Sequence, residues 1–323
     1  MQFEKMKTVP TADEILDRSF RRAARKMREK RNKDRANEEF VRAVSSAVHD
    51  RLVQIMQDIP IIEDLSPFYQ DMVDILFGID RFKKSLGAVG WAAKQTRVLG
   101  SRMAREVRWS PDTQVKRKQA VARIASVVHQ IDEHLRFLND ARNTLRKLPD
   151  IREEYTVVVA GYPNVGKSSF IRLVSTAEPE IAEYPFTTRE IILGHRKVGR
   201  RSIQFVDTPG LLYRPRIGRN AVEQQAINAL MHVADLVLYI LDPSETCGYS
   251  LSDQLSLLEE MKDLVPAPMI VVVNKADELL LTGYSNMSTL TGEGVDAVLQ
   301  EILTRAAASS TPRPGHSQSE IRL

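Results

Sequence analysis

The chain is poor in the residues that build cross-links and membrane spans. It has one cysteine, Cys247, in 323 residues. A single thiol supports neither an internal disulfide framework nor a cysteine-based zinc site, so Cys247 is expected to be a small, partly buried residue. Aromatic residues make up only 6%. No stretch approaches the roughly 20 consecutive apolar residues of a membrane helix. The first residues, Met1 to Lys7, lack the apolar run of a secretory leader. A cytoplasmic protein without membrane contact is expected. The 43% hydrophobic and 27% charged residues are those of a globular protein, which excludes collagen-like, mucin-like and wholly disordered classes. At roughly 100–200 residues per domain, the length suggests about two domains.

Charge divides the chain. Residues 1–150 hold 30 Lys+Arg and 21 Asp+Glu, a surplus of +9; residues 151–323 hold 16 and 21, a deficit of −5. A basic module joined to a module of different purpose is the expectation. We read residues 1–150 as a basic helical domain, 151–307 as a second domain and 308–323, small, polar and proline-containing, as a disordered tail.

The first half reads as helices. Thr11-Ala12-Asp13-Glu14 is a capping box, in which hydroxyl and carboxylate each satisfy a free backbone N–H. A helix is expected from Ala12 to Gln57, with a break near Arg31–Asn37. A second runs from Phe68 to Leu86, is interrupted at Gly87 and Gly90, and is followed by a third from Trp91 to Val107. Ser110-Pro111 restarts the chain as N-cap and first helical residue, and the helix that follows should reach Leu145. Its Ile124, Val128, Ile131, Leu135, Leu138 and Leu145 form a heptad seam. An antiparallel helical bundle buries such seams, and a monomer is expected.

In the second half the period changes. Tyr155–Ala160, Ser202–Val206, Leu236–Leu241, Met269–Val273 and a short segment near Tyr284–Met287 read as strands. Helical stretches separate most of them: Ser168–Ser175, Ala221–Val233, Ser252–Leu264 and Val295–Ala307. The pattern predicts a mostly parallel, six-stranded sheet with helices on both faces. Ligands of such sheets bind at the carboxyl ends of the strands.

Gly161-Tyr162-Pro163-Asn164-Val165-Gly166-Lys167-Ser168 fits G-x-x-x-x-G-K-[ST], follows a strand and opens a helix, the context of a phosphate-binding loop. Its backbone N–H groups, together with the neighbouring Ser169, would wrap phosphates. Lys167 would reach the β- and γ-phosphates and the Ser168 hydroxyl would ligand Mg²⁺. Asp207-Thr208-Pro209-Gly210 closes a strand; Asp207 would hold the Mg²⁺ shell through water and the Gly210 N–H would meet the γ-phosphate. Asn274-Lys275-Ala276-Asp277 follows another strand. A carboxylate at Asp277 accepts from both N1 and N2 of guanine, a pair adenine does not offer. Asn274 would tie this loop to the phosphate loop, and the Lys275 stem would lie along the base. Ser288-Thr289-Leu290 would offer backbone N–H groups to guanine O6.

Four motifs in this order resemble the translation-factor-related P-loop GTPases. Tyr184-Pro185-Phe186-Thr187-Thr188, with the Gly-x-Pro-Asn-Val-Gly-Lys-Ser loop, narrows the resemblance to Obg-type GTPases. One of the two threonines should ligand Mg²⁺; we favour Thr188. With the helical first half, and with Phe68-Tyr69, Asp80-Arg81, Gly87 and Gly90-Trp91-Ala92, the chain resembles the nucleolar GTP-binding protein (NOG) family, in its compact archaeal form. The resemblance implies a factor in large ribosomal subunit assembly that binds GTP/GDP and hydrolyses GTP. Alternatives are a regulatory GTPase with a protein partner and a GTP-stabilised RNA-binding module with negligible turnover. Asn164, Lys167, Thr188 and Gly210 are the expected catalytic set. Leu211 stands where many GTPases place a water-orienting glutamine, so intrinsic hydrolysis should be slow. In related GTPases an asparagine at the position of Asn164 helps bind K⁺, which suggests K⁺ stimulation. Arg214, Arg216 and Arg219 lie beyond it in a second switch.

Nine basic residues fall between positions 21 and 35: Arg21, Arg22, Arg25, Lys26, Arg28, Lys30, Arg31, Lys33 and Arg35, opposed only by Glu29 and Asp34. Phe20 and Met27 supply little apolar face for a membrane. Contact with the backbone of folded ribosomal RNA is expected, salt-sensitive and with little sequence readout.

Overall fold

The computed structural model describes residues 3–28, 35–184, 190–199, 201–207 and 221–309. The chain forms two compact units, 1–150 and 151–323.

The first unit is helical: α1 (Ala12–Arg28), α2 (Ala36–Asp58), a 3-10 turn (Ile62–Asp64), α3 (Pro67–Phe77), α4 (Ile79–Arg108), α5 (Thr113–His129) and α6 (Asp132–Leu145). The capping box is present. Thr11 N donates to Glu14 Oε2 at 2.9 Å and Glu14 N to Thr11 Oγ1 at 3.4 Å. All six residues of the heptad seam are buried.

Three helix boundaries differ from expectation. The break expected at Gly87 and Gly90 lies instead at Gly78, whose φ of +72° only glycine adopts without strain; α4 runs unbroken through both glycines. The seam is shared by α5 and α6, separated at Gln130–Ile131. Asp112, not Ser110, caps α5, accepting from Gln114 N at 3.1 Å and Val115 N at 3.0 Å. The Ser110 hydroxyl is spent on Asp112's own backbone, which it meets at 3.1 and 3.2 Å.

The second unit is a sheet of seven strands rather than six, in the order β2-β3-β4-β1-β5-β6-β7. These are β1 (Tyr155–Ala160), β2 (Glu180–Glu183), β3 (Glu190–Val198), β4 (Arg201–Asp207), β5 (Leu236–Leu241), β6 (Met269–Val273) and β7 (Ser285–Asn286). From β4 to β7 the pairing is parallel, while β2 and β3 join antiparallel. Neither β2 nor β3 was among the strands expected by position: β2 is short and acidic at both ends, and His195-Arg196-Lys197 breaks the apolar run of β3. The helices are α7 (Lys167–Val174), α8 (Ala221–His232), α9 (Leu251–Leu264) and α10 (Val295–Ala308).

Every residue of β5 is buried, as a parallel strand covered on both faces requires. On one face Val157, Val159, Phe205, Leu238 and Ile240 pack with Phe170 and Ile171 of α7 and Val298 and Ile302 of α10. On the other, buried Tyr239 donates its hydroxyl to Gln254 O of α9 at 2.7 Å. β1 lies between β4 and β5, and the chain leaves it toward β4 before crossing back to β5. The carboxyl end of β1 is therefore the switch point where ligands of open sheets bind.

Candidate functional site

All four motif segments follow strand carboxyl ends: 161–168 after β1, Asp207 at the end of β4, 274–277 after β6 and 288–290 after β7. The loop after β1 is bent by positive φ at Gly161 (+135°), Asn164 (+63°) and Gly166 (+103°). Asparagine tolerates this conformation better than most residues. Both glycines are required by proximity. A Cβ on Gly161 would sit 2.5 Å from Ile240 O, and one on Gly166 2.1 Å from Asn274 Nδ2. α7 begins immediately beyond, and its first N–H groups have no intrahelical acceptor. The loop and helix start form a concavity of donors suited to an anion. Lys167 is buried, and its ammonium donates to Tyr162 O at 2.7 Å. Asn164 and Ser169 are exposed.

Ser168 Oγ donates to Asp207 Oδ2 at 2.5 Å, and Asp207 is fully buried. A hydroxyl and a carboxylate already in contact beside an anion cradle are the hard oxygen donors Mg²⁺ takes, so these residues fit the ion.

The segment after β6 is locked to the phosphate loop. Asn274 Nδ2 donates to Val165 O at 2.7 Å and to Thr289 Oγ1 at 3.0 Å, while its Oδ1 accepts from Thr289 N at 2.8 Å. One buried side chain thus joins three loops. Asp277 is exposed beyond it. The N–H groups of Ser288-Thr289-Leu290, expected to meet guanine O6, are engaged within the protein in this structure. Ser288 N bonds Glu293 O at 2.9 Å, Thr289 N bonds Asn274, and Leu290 N reaches Ser288 Oγ at 3.3 Å. A loop this tight satisfies its own backbone, so a base oxygen would have to share or displace these bonds.

Sequence reasoning missed Asp242, fully buried at the end of β5. Lys275, at φ +61°, donates to its Oδ2 at 2.6 Å and to Thr246 Oγ1 at 2.6 Å. Ser244 Oγ and Cys247 N also bond the carboxylate, at 2.5 and 2.9 Å. Gln254 clamps the same residue's backbone, accepting from Asp242 N and donating to Asp242 O, each at 2.8 Å. Burial works against the charge, but the bonds from Lys275, Ser244 and Cys247 together hold the Asp242 pKa below the usual carboxylate range. The available signal was an acid immediately after an apolar strand, the position Asp207 also holds. Cys247 is buried, with a free thiol. His195 Nδ1 sits 3.4 Å from Glu154 Oε2.

Thr187, Thr188, Gly210, Leu211, Arg214, Arg216 and Arg219 lie outside the described residues, as do Lys30, Arg31 and Lys33. Arg21, Arg22, Arg25 and Lys26 are exposed on α1, where Arg21 pairs with Asp17 at 3.5 Å; Arg28 closes the helix, and Arg35 is exposed just before α2. Among the described residues no cluster of three or more His, Cys, Asp and Glu is placed to hold a metal ion, and no helix is long and apolar enough to cross a membrane.

A phosphate-loop strand–turn–helix at the switch point of a mixed sheet, with a buried carboxylate at the end of β4, defines a G domain. It follows a helical domain, and both halves have known counterparts. Residues 3–152 match the family model of the NOG1 N-terminal helical domain, and residues 221–277 that of nucleolar GTP-binding protein 1. The chain belongs to the nucleolar GTP-binding protein (NOG) family. An uncharacterized protein of Methanocaldococcus jannaschii is 43% identical over 85% of this chain and 81% of its own length. Nucleolar GTP-binding protein 1 of Encephalitozoon cuniculi is 35% identical over 80% of this chain and 53% of its own length, and that of Drosophila melanogaster 35% over 86% and 44%. The chain thus spans about half the length of these eukaryotic relatives. A crystallised Plasmodium falciparum chain assigned to the same protein is 31% identical, over 50% of this chain and 91% of that one, with a TM-score of 0.45.

Proposed function

We propose that this protein binds and hydrolyses GTP and acts as an assembly factor for the large ribosomal subunit or its precursor, with its basic helical domain docking on ribosomal RNA. The observation that carries the nucleotide reading is the Asn274 bridge, which fixes the Asp277 loop against the phosphate loop. A carboxylate that reads guanine and a cradle that holds phosphates then act on one ligand. The relatives named nucleolar GTP-binding protein 1 support the reading.

In this reading the loop 161–166 and the start of α7 bind the phosphates, and Lys167 leaves Tyr162 O for a phosphate oxygen. Asp277 holds the base. Ser168 and Asp207, with Thr188 and the Gly210 N–H, complete the site. Ser168, and Asp207 through water, would hold Mg²⁺, which would supply positive charge to the phosphate oxygens. Leu211 offers no group to orient water, so the unassisted rate is slow. Asn164 would help hold K⁺, which would add positive charge beside the phosphates. Hydrolysis should therefore run faster in KCl than in NaCl, and Asn164→Ala should abolish the difference; equal rates in the two salts would remove K⁺ from the mechanism.

The deciding experiment is co-sedimentation with purified large ribosomal subunits and their precursors, with GDP and with a non-hydrolysable GTP analogue. We expect retention favoured by the analogue and weakened by Arg21→Glu, Arg22→Glu and Arg25→Glu together. No retention in either state would defeat the assembly reading and leave a nucleotide-binding protein with another partner.

A further inference from the structure

α4 carries a second cationic surface, unlike the one on α1. Between Trp91 and Trp109 seven positions are exposed, and none is a carboxylate. Five are cations: Lys94, Arg97, Arg102, Arg105 and Arg108. Arg102 pairs with Glu106 at 3.1 Å. The other four have no ion pair among the described residues. Together with Ser101 they follow one another at intervals of 3, 4, 4 and 3, which places them in one stripe along the helix. At about 1.5 Å per residue the stripe is about 21 Å long.

Two tryptophans bracket it, Trp91 at 44% and Trp109 at 79% exposed, with Val98 at 56% between them. Arg108 lies over the Trp109 ring at 5.2 Å. Large rings held in water beside unpaired cations are unusual for a surface with only bundle packing to serve. Beside the stripe a cleft of about 360 Å³ opens between α2 and α4. Arg97 and Ser101 form one wall, and Arg42, Ser46 and His49 the other, with Asp50 as an acid within it. Arg42 is itself bonded to Glu38 at 2.9 and 3.1 Å. The floor is the close crossing of Ser45 and Gly100, where Ser45 Oγ donates to Thr96 O at 2.9 Å.

We propose that this face of α4 is a docking surface for folded RNA that carries unpaired bases. Phosphates lie along Lys94, Arg97, Arg105 and Arg108, one of them at the cleft mouth, and splayed bases stack on Trp91 and Trp109. The proposal rests on the reading that the chain docks on RNA, but assigns the stacking to a different element. On α1 the cations have no interleaved aromatics and suit phosphates alone. On α4 an exposed ring flanks the cations at each end of the stripe, Trp91 within the helix and Trp109 at its C-cap, which supplies the stacking surfaces that recognition of unstacked bases needs. A lipid surface would demand a continuous apolar face; here two rings and a valine are set among arginines.

The test uses the full chain and three probes: a blunt RNA duplex of about 16 base pairs, the same duplex with a bulge of unpaired uridines, and anionic phosphatidylserine vesicles. Binding is measured across a salt series. Arg97→Glu, Arg105→Glu and Arg108→Glu together should weaken both RNAs at least about tenfold and flatten the salt dependence by about three phosphates. Trp91→Ala with Trp109→Ala should weaken the bulged RNA about tenfold and leave the blunt duplex unchanged. Arg21→Glu, Arg22→Glu and Arg25→Glu run alongside, and circular dichroism and GTP binding report that every variant is folded. Wild-type RNA affinity in the α4 variants, with loss in the α1 variant, overturns the α4 surface and leaves the RNA reading standing. Failure of the unaltered chain to bind either RNA overturns both. Vesicle binding that depends on the tryptophans, without RNA binding, assigns the face to lipid instead.

Discussion

Asp277 and Asp242 are two carboxylates at adjacent strand ends with opposite circumstances. Asp277 is exposed, and in the proposed reading it would offer both oxygens to guanine. Asp277→Asn should lower GTP affinity at least about a hundredfold, because a polar site that loses its match discriminates strongly. The same change should raise affinity for xanthosine triphosphate, whose C2 oxygen accepts from the new amide. Isothermal titration with both nucleotides checks this, and unchanged GTP affinity would remove Asp277 from base recognition. Asp242 is buried and turned inward to Lys275. Removing one partner of such a pair leaves the other charge uncompensated, so Asp242→Ala should cost about 3 kcal/mol in urea unfolding. Because the folded pKa is depressed, the carboxylate's contribution is full above the ordinary range near 3.9 and is lost as pH falls through the lower folded value. The gap between wild type and variant should therefore be constant near neutrality and narrow only below about pH 4. A gap independent of pH in acid would mean that the charge is not what Asp242 contributes.

The long helix α4 separates what composition can tell from what packing decides. Gly87 has open space around its missing side chain, whereas a Cβ on Gly100 would lie 1.8 Å from Ser45 Oγ and 2.2 Å from Ser45 Cβ. Gly87→Ala should stabilise by about 0.5–1 kcal/mol, through helix propensity alone. Gly100→Ala should destabilise by about 1–3 kcal/mol, because α2 and α4 must separate. Adding Ser45→Ala should not rescue it, since the Ser45 Cβ remains in the way. Thermal melts of the three variants decide, and equal shifts for the two glycines would mean that the crossing is not tight.

The same helix shows where the sequence was legible. Helix and strand periods, the capping box and the phosphate loop depend on near neighbours in the chain and could be read directly. The break at Gly78 could not be told from those expected at Gly87 and Gly90, because the residue type alone does not reveal which glycine takes positive φ. β2 and β3 were hidden by the polar residues in their short or broken apolar runs, and Asp242 by the fact that its partner Lys275 lies 33 residues away. The closed backbone of Ser288-Thr289-Leu290 likewise depends on a long-range partner, Asn274.

At the scale of the whole molecule, the two compact units carry opposite charge surpluses, +9 and −5. A ligand that binds only the second stabilises that unit by mass action, about 2.7 kcal/mol at a hundred times Kd. GTP should therefore slow amide exchange in β1, β4, β5 and β6 while leaving the slowest amides of α2 and α4 unchanged. Uniform protection across both units would show that the two open as one. Within the nucleotide site, Lys167 rests on the carbonyl of Tyr162. Phosphate arrival is therefore an exchange of acceptors rather than the capture of a dangling charge. The heat released should be smaller than the new contacts alone would suggest, and a nucleoside monophosphate, too short to draw the ammonium away, would leave the lysine at rest. The phosphate loop then behaves as a latch already closed on itself, which a longer phosphate chain reopens in its own favour.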